Sequence, residues 1–289
     1  MTGTPLENNP GEFVNLLHIC SPEIARTVQS QSNWSTMIEH VESDEFTRKL
    51  APVYLRRNQE DVLHELPQCI EVEQWIELSE GEWKGYFGAV ESRNLMTMRQ
   101  ATIGFNGQSS KLNRLAELLE YYRSTDEKVV VFSFFINTLN EIGELIGEHH
   151  RIDGSVPPKH RMGIINEFSE SSGFSAMICQ IDAGGVGINL HAASVVIIAE
   201  PQLKPTTEWQ AIKRVHRMGQ SRKVTVHRLL ARDTIDERLR ELLAVKSQTF
   251  DEYARESQIK DVSAAARDSS ISKDDLIKGE VDRLAIRAE

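Results

Sequence analysis

The chain has 289 residues, 40% of them hydrophobic and 26% charged, with a net charge of −10. That length holds one large domain or two ordinary ones and needs no disulfide or metal staple to sustain a core. The longest apolar runs, VVVF at 129–132 and VVIIA at 195–199, are strand-sized, and MTGTPLENNP has neither a basic nor an apolar stretch, so neither a membrane span nor a signal peptide is expected.

In chain order, residues 1–12 are rich in turn formers (Gly3, Pro5, Asn8, Asn9, Pro10, Gly11), and a short apolar helix, EFVNLLHI, follows. Residues 30–125 read as mainly helical and amphipathic, with LRRNQEDVLHELP ending at Pro67. Within them IEVEQWIEL, at 70–78, alternates as a half-buried strand does. GFNGQSS, at 104–110, is a Gly- and Ser-rich break ahead of the helix KLNRLAELLEYY. Beyond it strands and helices alternate. KVVVFSFF (128–135) precedes the helix INTLNEIGELIGEH, and a short strand at HRID precedes the helix PKHRMGIINEF. The strand FSAMICQI leads to the loop DAGGVG, SVVIIAE to a helix over 207–218, and VTVHRLL to the long helix TIDERLRELLAVKSQTFDEYA. Continuous apolar strands alternating with helices predict an α/β fold, a mostly parallel sheet with helices on both faces. The tail from 255 mixes charge with Ser and Ala and is expected to be loosely ordered, although ISKDDLIKGEVDRLAI has the pattern of a terminal helix.

The acidic total hides a local asymmetry. Between Lys204 and Arg232 eight cations (Lys204, Lys213, Arg214, Arg217, Arg222, Lys223, Arg228, Arg232) face Glu208 alone, a local +7, whereas Glu39 to Glu82 holds twelve acids and four bases. A basic surface binds polyanions whatever the total charge, though an ordinary solvated face has the same composition. Cys20, Cys69 and Cys179 are far apart and form no CxxC pair, which predicts a reducing, cytoplasmic compartment and no metal site.

Ligands of parallel sheets sit at the carboxyl ends of the strands, and three sequence elements are expected there. Asp153-Gly154-Ser155 follows the short strand, and its amides can approach a phosphate because Gly154 has no Cβ. AGGVGINL, at 183–190, supplies Gly184, Gly185 and Gly187 for a tight turn facing an anion, but it lacks a GK[ST] ending and is no Walker loop. QAIKRVHRMGQ, at 210–220, read as a helix, puts Gln210, Arg214 and Arg217 on one face and Ala211, Val215 and Met218 on the other. Two guanidinium forks beside an amide suit a bound phosphate. Each element alone is equally a turn or a pair of surface arginines; in order along one sheet edge, they point to phosphate.

RIDGSVPPKHRMGIINEF, QIDAGGVGINLHAASVVIIAEPQLKPTTEWQAIKRVHRMGQ and VTVHRLLARDTIDERL resemble motifs IVa, V and VI and the closing helix of the Swi/Snf family, DNA-translocating ATPases of helicase superfamily two. VYLRRNQEDVLHELP and SSKLNRLAELL are similar to that family's connecting segment and second-lobe entry, and MTGTPLENN to its motif III. The resemblance runs from residue 1 to about 250. It implies the end of a first RecA-like lobe at 1–30, a largely helical protrusion and linker at 31–109, a RecA-like helicase C-terminal lobe with its brace helix at 110–250, and a partly disordered tail at 251–289.

In that family ATP lies between two lobes. The resemblance therefore implies ATP with Mg2+, shared with a first lobe that this chain would lack. It makes Arg214 and Arg217 arginine fingers, Gln210 an orienting residue, and Gly185 and Gly187 a loop coupling nucleotide to DNA. Contacts to double-stranded DNA fall on Thr2, Gly3, Gly154, Ser155, Gly184, Asn189, Arg222 and Lys223. No metal-ligating residue is expected, nor a membrane partner; the compartment would be cytoplasmic, nucleoid-associated in a bacterium or nuclear in a eukaryote. The chain departs from the family pattern in several places. It has no GK[ST] and no Asp-Glu-x-His, Lys213 replaces an acid or small residue, Gln180-Ile181-Asp182 replaces hydroxyl and basic residues, and Gln202-Leu203-Lys204 replaces a tryptophan-rich turn. The expectation is thus the second lobe of a duplex-DNA translocase, starting in the middle of a motor and hydrolysing negligible ATP alone. The competing expectation is a truncated, non-catalytic module binding DNA or a partner. An unrelated anion-binding enzyme would need a base or nucleophile near AGGVG, and none is evident.

Overall fold

The computed structural model describes residues 18–23, 26, 66–104, 107–182, 188–244 and 273–287. Expectations for the turn-rich start, for most of EFVNLLHI, and for the helices over 30–65 lie outside the described residues. The chain forms two compact units, Met1–His64 with Leu242–Ile271, and Glu65–Glu241 with Ser272–Glu289. The second contains a six-stranded sheet in which every pairing is parallel. From one edge to the other the strands are β1 (Cys69–Ile76), β6 (Val224–Ala231), β5 (Val195–Ile198), β2 (Val129–Ser133), β4 (Ala176–Gln180) and β3 (His150–Ile152).

The apolar runs cause this arrangement. Strands buried on both faces need apolar side chains at odd and even positions alike, and VVVFS and VVII are buried throughout. Val130, Phe132, Met177, Cys179, Val196, Ile198, Val224 and Val226 point to one face. There they meet Ile165 and Phe168 of α5 (Pro158–Glu170) and Ala211, Ile212 and Val215 of α6 (Pro205–Val215). Val129, Val131, Ala176, Ile178, Val195, Ile197 and Leu229 point to the other. They pack on Leu115, Leu118 and Leu119 of α3 (Ser110–Ser124) and on Leu139 and Ile142 of α4 (Ile136–Ile146).

The sheet also draws on sequence upstream of the Gly/Ser-rich break. β1 pairs with β6 over its whole length, Cys69 opposite Val224 and Ile76 opposite Ala231. After β1 come α1 (Glu80–Glu91) and α2 (Leu95–Ala101). Ser79 and Glu82 form a capping box at the start of α1. The same Glu82 carboxylate accepts the Ser110 N–H at 2.8 Å and the Ser110 hydroxyl at 2.5 Å, tying the start of α3 to α1. After β6 the chain is helical over 235–244 (α7), and α8 (Lys273–Arg287) packs against α1 and α2.

Candidate phosphate-binding site

Two of the three elements expected at one sheet edge lie at opposite edges, and the glycines of the third lie outside the described residues. Asp153-Gly154-Ser155 follows β3 and Gln180 ends β4, so both are at the carboxyl edge. α6 leaves the carboxyl end of β5 and must return to the amino end of β6, its parallel neighbour. Its last turn therefore reaches the amino edge, where His216 Nε2 lies 2.7 Å from the carbonyl of Pro67, two residues before β1.

At the carboxyl edge the amides expected to face phosphate are already used. Gly154 N donates to Gln180 Oε1 at 3.0 Å, Ser155 N to Asp153 Oδ1 at 2.9 Å, and Val156 N to the Asp153 carbonyl at 3.2 Å. The Ser155 hydroxyl also donates to Asp153, and Arg151 closes the cluster at 2.6 Å. Burial works to raise the Asp153 carboxyl, but the hydrogen bonds from Ser155 and Arg151 outweigh it and hold the group below its usual range. Gly154 and Ser155 thus present a carboxylate-centred turn with no amide pointing outward. Asp182, also at this edge, is exposed.

The α6 end differs from a continuous helix over 207–218. The helix stops at Val215, with His216 at φ −88° and ψ 79°. Its last carbonyls find partners outside the helix: Leu190 N donates to the Arg214 carbonyl at 2.9 Å. Gln220 Nε2 then holds the exit by donating to the Ala193 and His191 carbonyls at 2.7 and 3.1 Å. Gln210 and Arg214 are on α6, while Arg217 sits in the turn beyond it. The apolar stripe is cut at the same point, for Ala211 and Val215 are 3% and 0% exposed but Met218 is 68% exposed.

Arg214 and Arg217 nonetheless stay close. Arg214 is half-buried and Nη1 donates to the Ile188 carbonyl at 3.3 Å, on the segment leading out of the AGGVG loop. Burial, and next the like charge of Arg217, pull the Arg214 guanidinium below its usual pKa. No carboxylate among the described residues pairs with either arginine, with Arg222 or with Lys223. The basic run is therefore not uniform. Arg228 sits between Glu208 at 2.8 Å and Glu71 at 2.7 Å, whose charges outweigh burial and raise its pKa, and Arg232 pairs with Glu77. Arg222 Nη2 donates to the Ala192 carbonyl at 2.6 Å, and Lys223 beside it is exposed. Asn189 is exposed and immediately precedes Leu190, whose N–H donates to the Arg214 carbonyl. Thr2, Gly3, Gly184, Gly185 and Gly187 lie outside the described residues.

A buried ionic network behind the carboxyl edge escaped the sequence reading. Glu200, 0% exposed and two residues beyond β5, accepts from Phe134 N at 2.6 Å, Ser133 Oγ at 2.9 Å and Gln202 Nε2 at 3.1 Å. Burial lifts its carboxyl above the usual range against the pull of the Phe134 amide, Arg99 and Lys111. Arg99 donates to the Pro201 carbonyl at 2.8 Å and lies over the Phe134 and Phe135 rings. Lys111 bridges Asp236 at 2.5 Å and the Ala199 carbonyl at 3.3 Å. The one visible signal was a carboxylate placed directly after the buried run VVIIA; Arg99, in LMTMRQA, reads as a surface residue.

Among the described residues no group of three or more His, Cys, Asp and Glu side chains could hold a metal ion, and no helix is long and apolar enough to cross a membrane.

A model of the SNF2-related domain matches residues 1–127 and one of the helicase conserved C-terminal domain matches residues 110–219. An uncharacterized ATP-dependent helicase, MG018 of Mycoplasma genitalium, is 27% identical over 310 residues, covering 96% of this chain and 29% of that protein. Chromatin remodeling factor mit1 of Schizosaccharomyces pombe is 29% identical, covering 83% of this chain and 20% of its own length. The chain thus spans less than a third of either relative. Among solved structures, the C-terminal part of the Fun30 ATPase domain superposes with a TM-score of 0.61 at 20% identity, covering 76% of this chain and 99% of that one. The Sulfolobus solfataricus SWI2/SNF2 ATPase core in complex with dsDNA gives 0.55 at 24% identity, covering 96% and 65%. These likenesses establish the fold, that of a C-terminal RecA-like lobe.

Proposed function

The chain belongs to the SNF2 family of helicase-like ATPases, and on that premise we propose that it supplies the second lobe of an ATP-dependent motor that moves along double-stranded DNA. Arg214 and Arg217 are its contribution to chemistry. The observation that carries this reading is the half-buried Arg214, held against a second arginine with no carboxylate partner among the described residues. A cation kept partly desolvated beside a like charge is costly unless an anion arrives, and a triphosphate is such an anion. In phosphoryl transfer negative charge is spread over the transferred group, and a prepositioned guanidinium lowers the barrier without reorganising. Gln210, one turn before Arg214 on α6, lies on the same side and orients substrate or finger.

The lysine and the metal-binding carboxylates of such a site are not found in this sequence, which has no GK[ST] and no Asp-Glu-x-His. The described residues offer no ligand cluster for Mg2+ either, so the role argued for this chain is confined to its arginines. For DNA, the charge distribution favours Arg222 and Lys223 over the Gly154–Ser155 turn, whose donors are all internally satisfied. The relative mit1 is named a chromatin remodeling factor, which favours nucleoprotein remodelling as the purpose of translocation.

The test joins this lobe to a first lobe carrying the Walker motifs and measures DNA-stimulated ATP turnover. Arg214→Ala and Arg217→Ala should each lower turnover by at least about a hundredfold, as for loss of a transition-state charge contact. Full turnover per folded molecule in both variants would assign the arginines to the fold and leave a non-catalytic DNA- or partner-binding module as the better reading.

A further inference from the structure

α8 lies outside every motif used above, yet it buries a carboxylate. Glu280 is 0% exposed, flanked one turn away on each side by Leu276 and Leu284, both also buried. The stripe that α8 turns toward the protein is thus apolar with a charge at its centre. Glu280 Oε1 accepts the Tyr86 hydroxyl at 2.7 Å, and Oε2 is 3.1 Å from both Arg238 Nε and Arg283 Nε. Tyr86, on α1 and 0% exposed, turns its hydroxyl oxygen to the N–H of Ile235, which donates at 2.7 Å. Arg283 Nη2 donates to the carbonyl of Asp233, a residue in the left-handed region at φ 55° in the turn before α7.

Ile235 opens α7, and the first N–H groups of a helix have no acceptor within it. Here one of them is capped by a phenol on another helix. That phenol has a single proton; because it goes to Glu280, the oxygen lone pairs are left to face Ile235. Glu280 therefore fixes the polarity of the cap. An apolar residue at position 280 would hold α8 in place as well or better, since buried ion pairs rarely out-stabilise apolar packing. What the carboxylate adds is register and direction.

We propose that α8 is a latch on the start of α7, with Glu280 and Tyr86 the positioning pair through which it acts. Docked, α8 orients the Tyr86 hydroxyl toward Ile235 and, through Arg283, holds the Asp233 turn. Undocked, it releases the first turn of α7. The proposal concerns conformation alone and stands whether or not the arginines of α6 serve ATP.

Hydrogen exchange read by mass spectrometry on the full chain tests it, with Leu276→Asp combined with Leu284→Asp to force α8 off by charging its buried stripe and Tyr86→Phe to remove the cap while keeping the ring. In the Leu276→Asp, Leu284→Asp double variant, exchange in 273–287 and in 235–239 should rise together by about tenfold or more, with 129–133 and 195–198 unchanged. In Tyr86→Phe, 235–239 should lose protection while 273–287 keeps most of its own. The proposal is overturned if α8 stays protected in the double variant, or if it exchanges freely while 235–239 keeps its protection. It is equally overturned if the central strands lose protection along with α8, which would make α8 part of the core, or if Tyr86→Phe leaves 235–239 unchanged.

Discussion

His227 gives the structure a predicted acid sensitivity whose size follows from its surroundings. The ring lies on β6, 6% exposed, with Nε2 2.7 Å from the Tyr122 hydroxyl and Nδ1 3.0 Å from Gln74 Nε2. Gln74 Oε1 is occupied by the Arg114 guanidinium, at 3.1 Å to Nε and 2.9 Å to Nη2, so the Gln74 amide must donate to Nδ1. The proton of the neutral ring is then on Nε2, directed at Tyr122. A second proton has no acceptor and would sit in a buried place near Arg114. Burial first, and the Arg114 charge second, depress the His227 pKa to about 4 from an ordinary 6.5.

A depressed pKa makes the neutral form the stabilising one, so stability is fully present above 6.5 and is lost as pH falls toward 4. Linkage puts the loss at roughly 2 kcal/mol between pH 7 and pH 5, approaching about 3 kcal/mol below pH 4. Urea unfolding followed by tryptophan fluorescence at the two pH values measures it, with His227→Gln as the control that keeps an amide for Tyr122 and Gln74 but cannot titrate. Subtracting the variant's pH dependence from the parent's should leave about 2 kcal/mol. Equal losses in the two proteins would mean that His227 is charged, or solvated, in the fold, and the account of its burial would be wrong.

Val215→Asp puts a carboxylate at a position of 0% exposure against the sheet and should unfold the lobe, an expected cost of several kcal/mol; circular dichroism would show it, and a folded variant would mean that α6 lifts off easily. Arg222→Ala with Lys223→Ala should flatten the dependence of duplex-DNA affinity on salt by roughly 2 in log–log slope, measured by fluorescence anisotropy across a salt series. An unchanged slope would place both cations on a solvated face.

The fold was legible where one residue's neighbours in sequence decide its state. VVVF and VVIIA announce strands covered on both faces because the runs are strand-length and dominated by β-branched and aromatic residues, which suit a doubly covered sheet better than a buried helix. β1 was legible as a strand, from its alternation, but not as a member of this sheet, since its partner lies 155 positions away at Val224. The end of α6 was hidden for a related reason. KRVHRM has no helix breaker, and what stops the helix is the Leu190 amide, the Gln220 side chain and the Pro67 carbonyl, all of which arrive through tertiary structure. The same holds for Gly154, whose amide is taken by Gln180 from 26 residues away. Arg214 and Arg217 were picked out by type and spacing. That they have no carboxylate partner among the described residues, while Arg228 in the same run has two, is decided by tertiary structure, since Glu71 comes from β1.

The pairing of β1 with β6 also sets an order of events during synthesis. These are the first and last strands of the sheet to leave the ribosome, 155 residues apart. At ordinary elongation rates the eight residues of β1 wait roughly 8 to 30 s for the strand that pairs with them. Closing a loop of that length costs about 4 to 5 kcal/mol of chain entropy, which eight ladder positions must recover at once. Strands β2 to β5 can assemble among themselves in the interval, and α1 and α2 can form locally. Until then the exposed edge of β5 and the apolar residues of β1, Ile70, Val72 and Ile76, are open to pairing with another nascent chain. Slow translation between β5 and β6 would lengthen that window, and a chaperone that holds residues 69–76 would shorten the list of wrong partners.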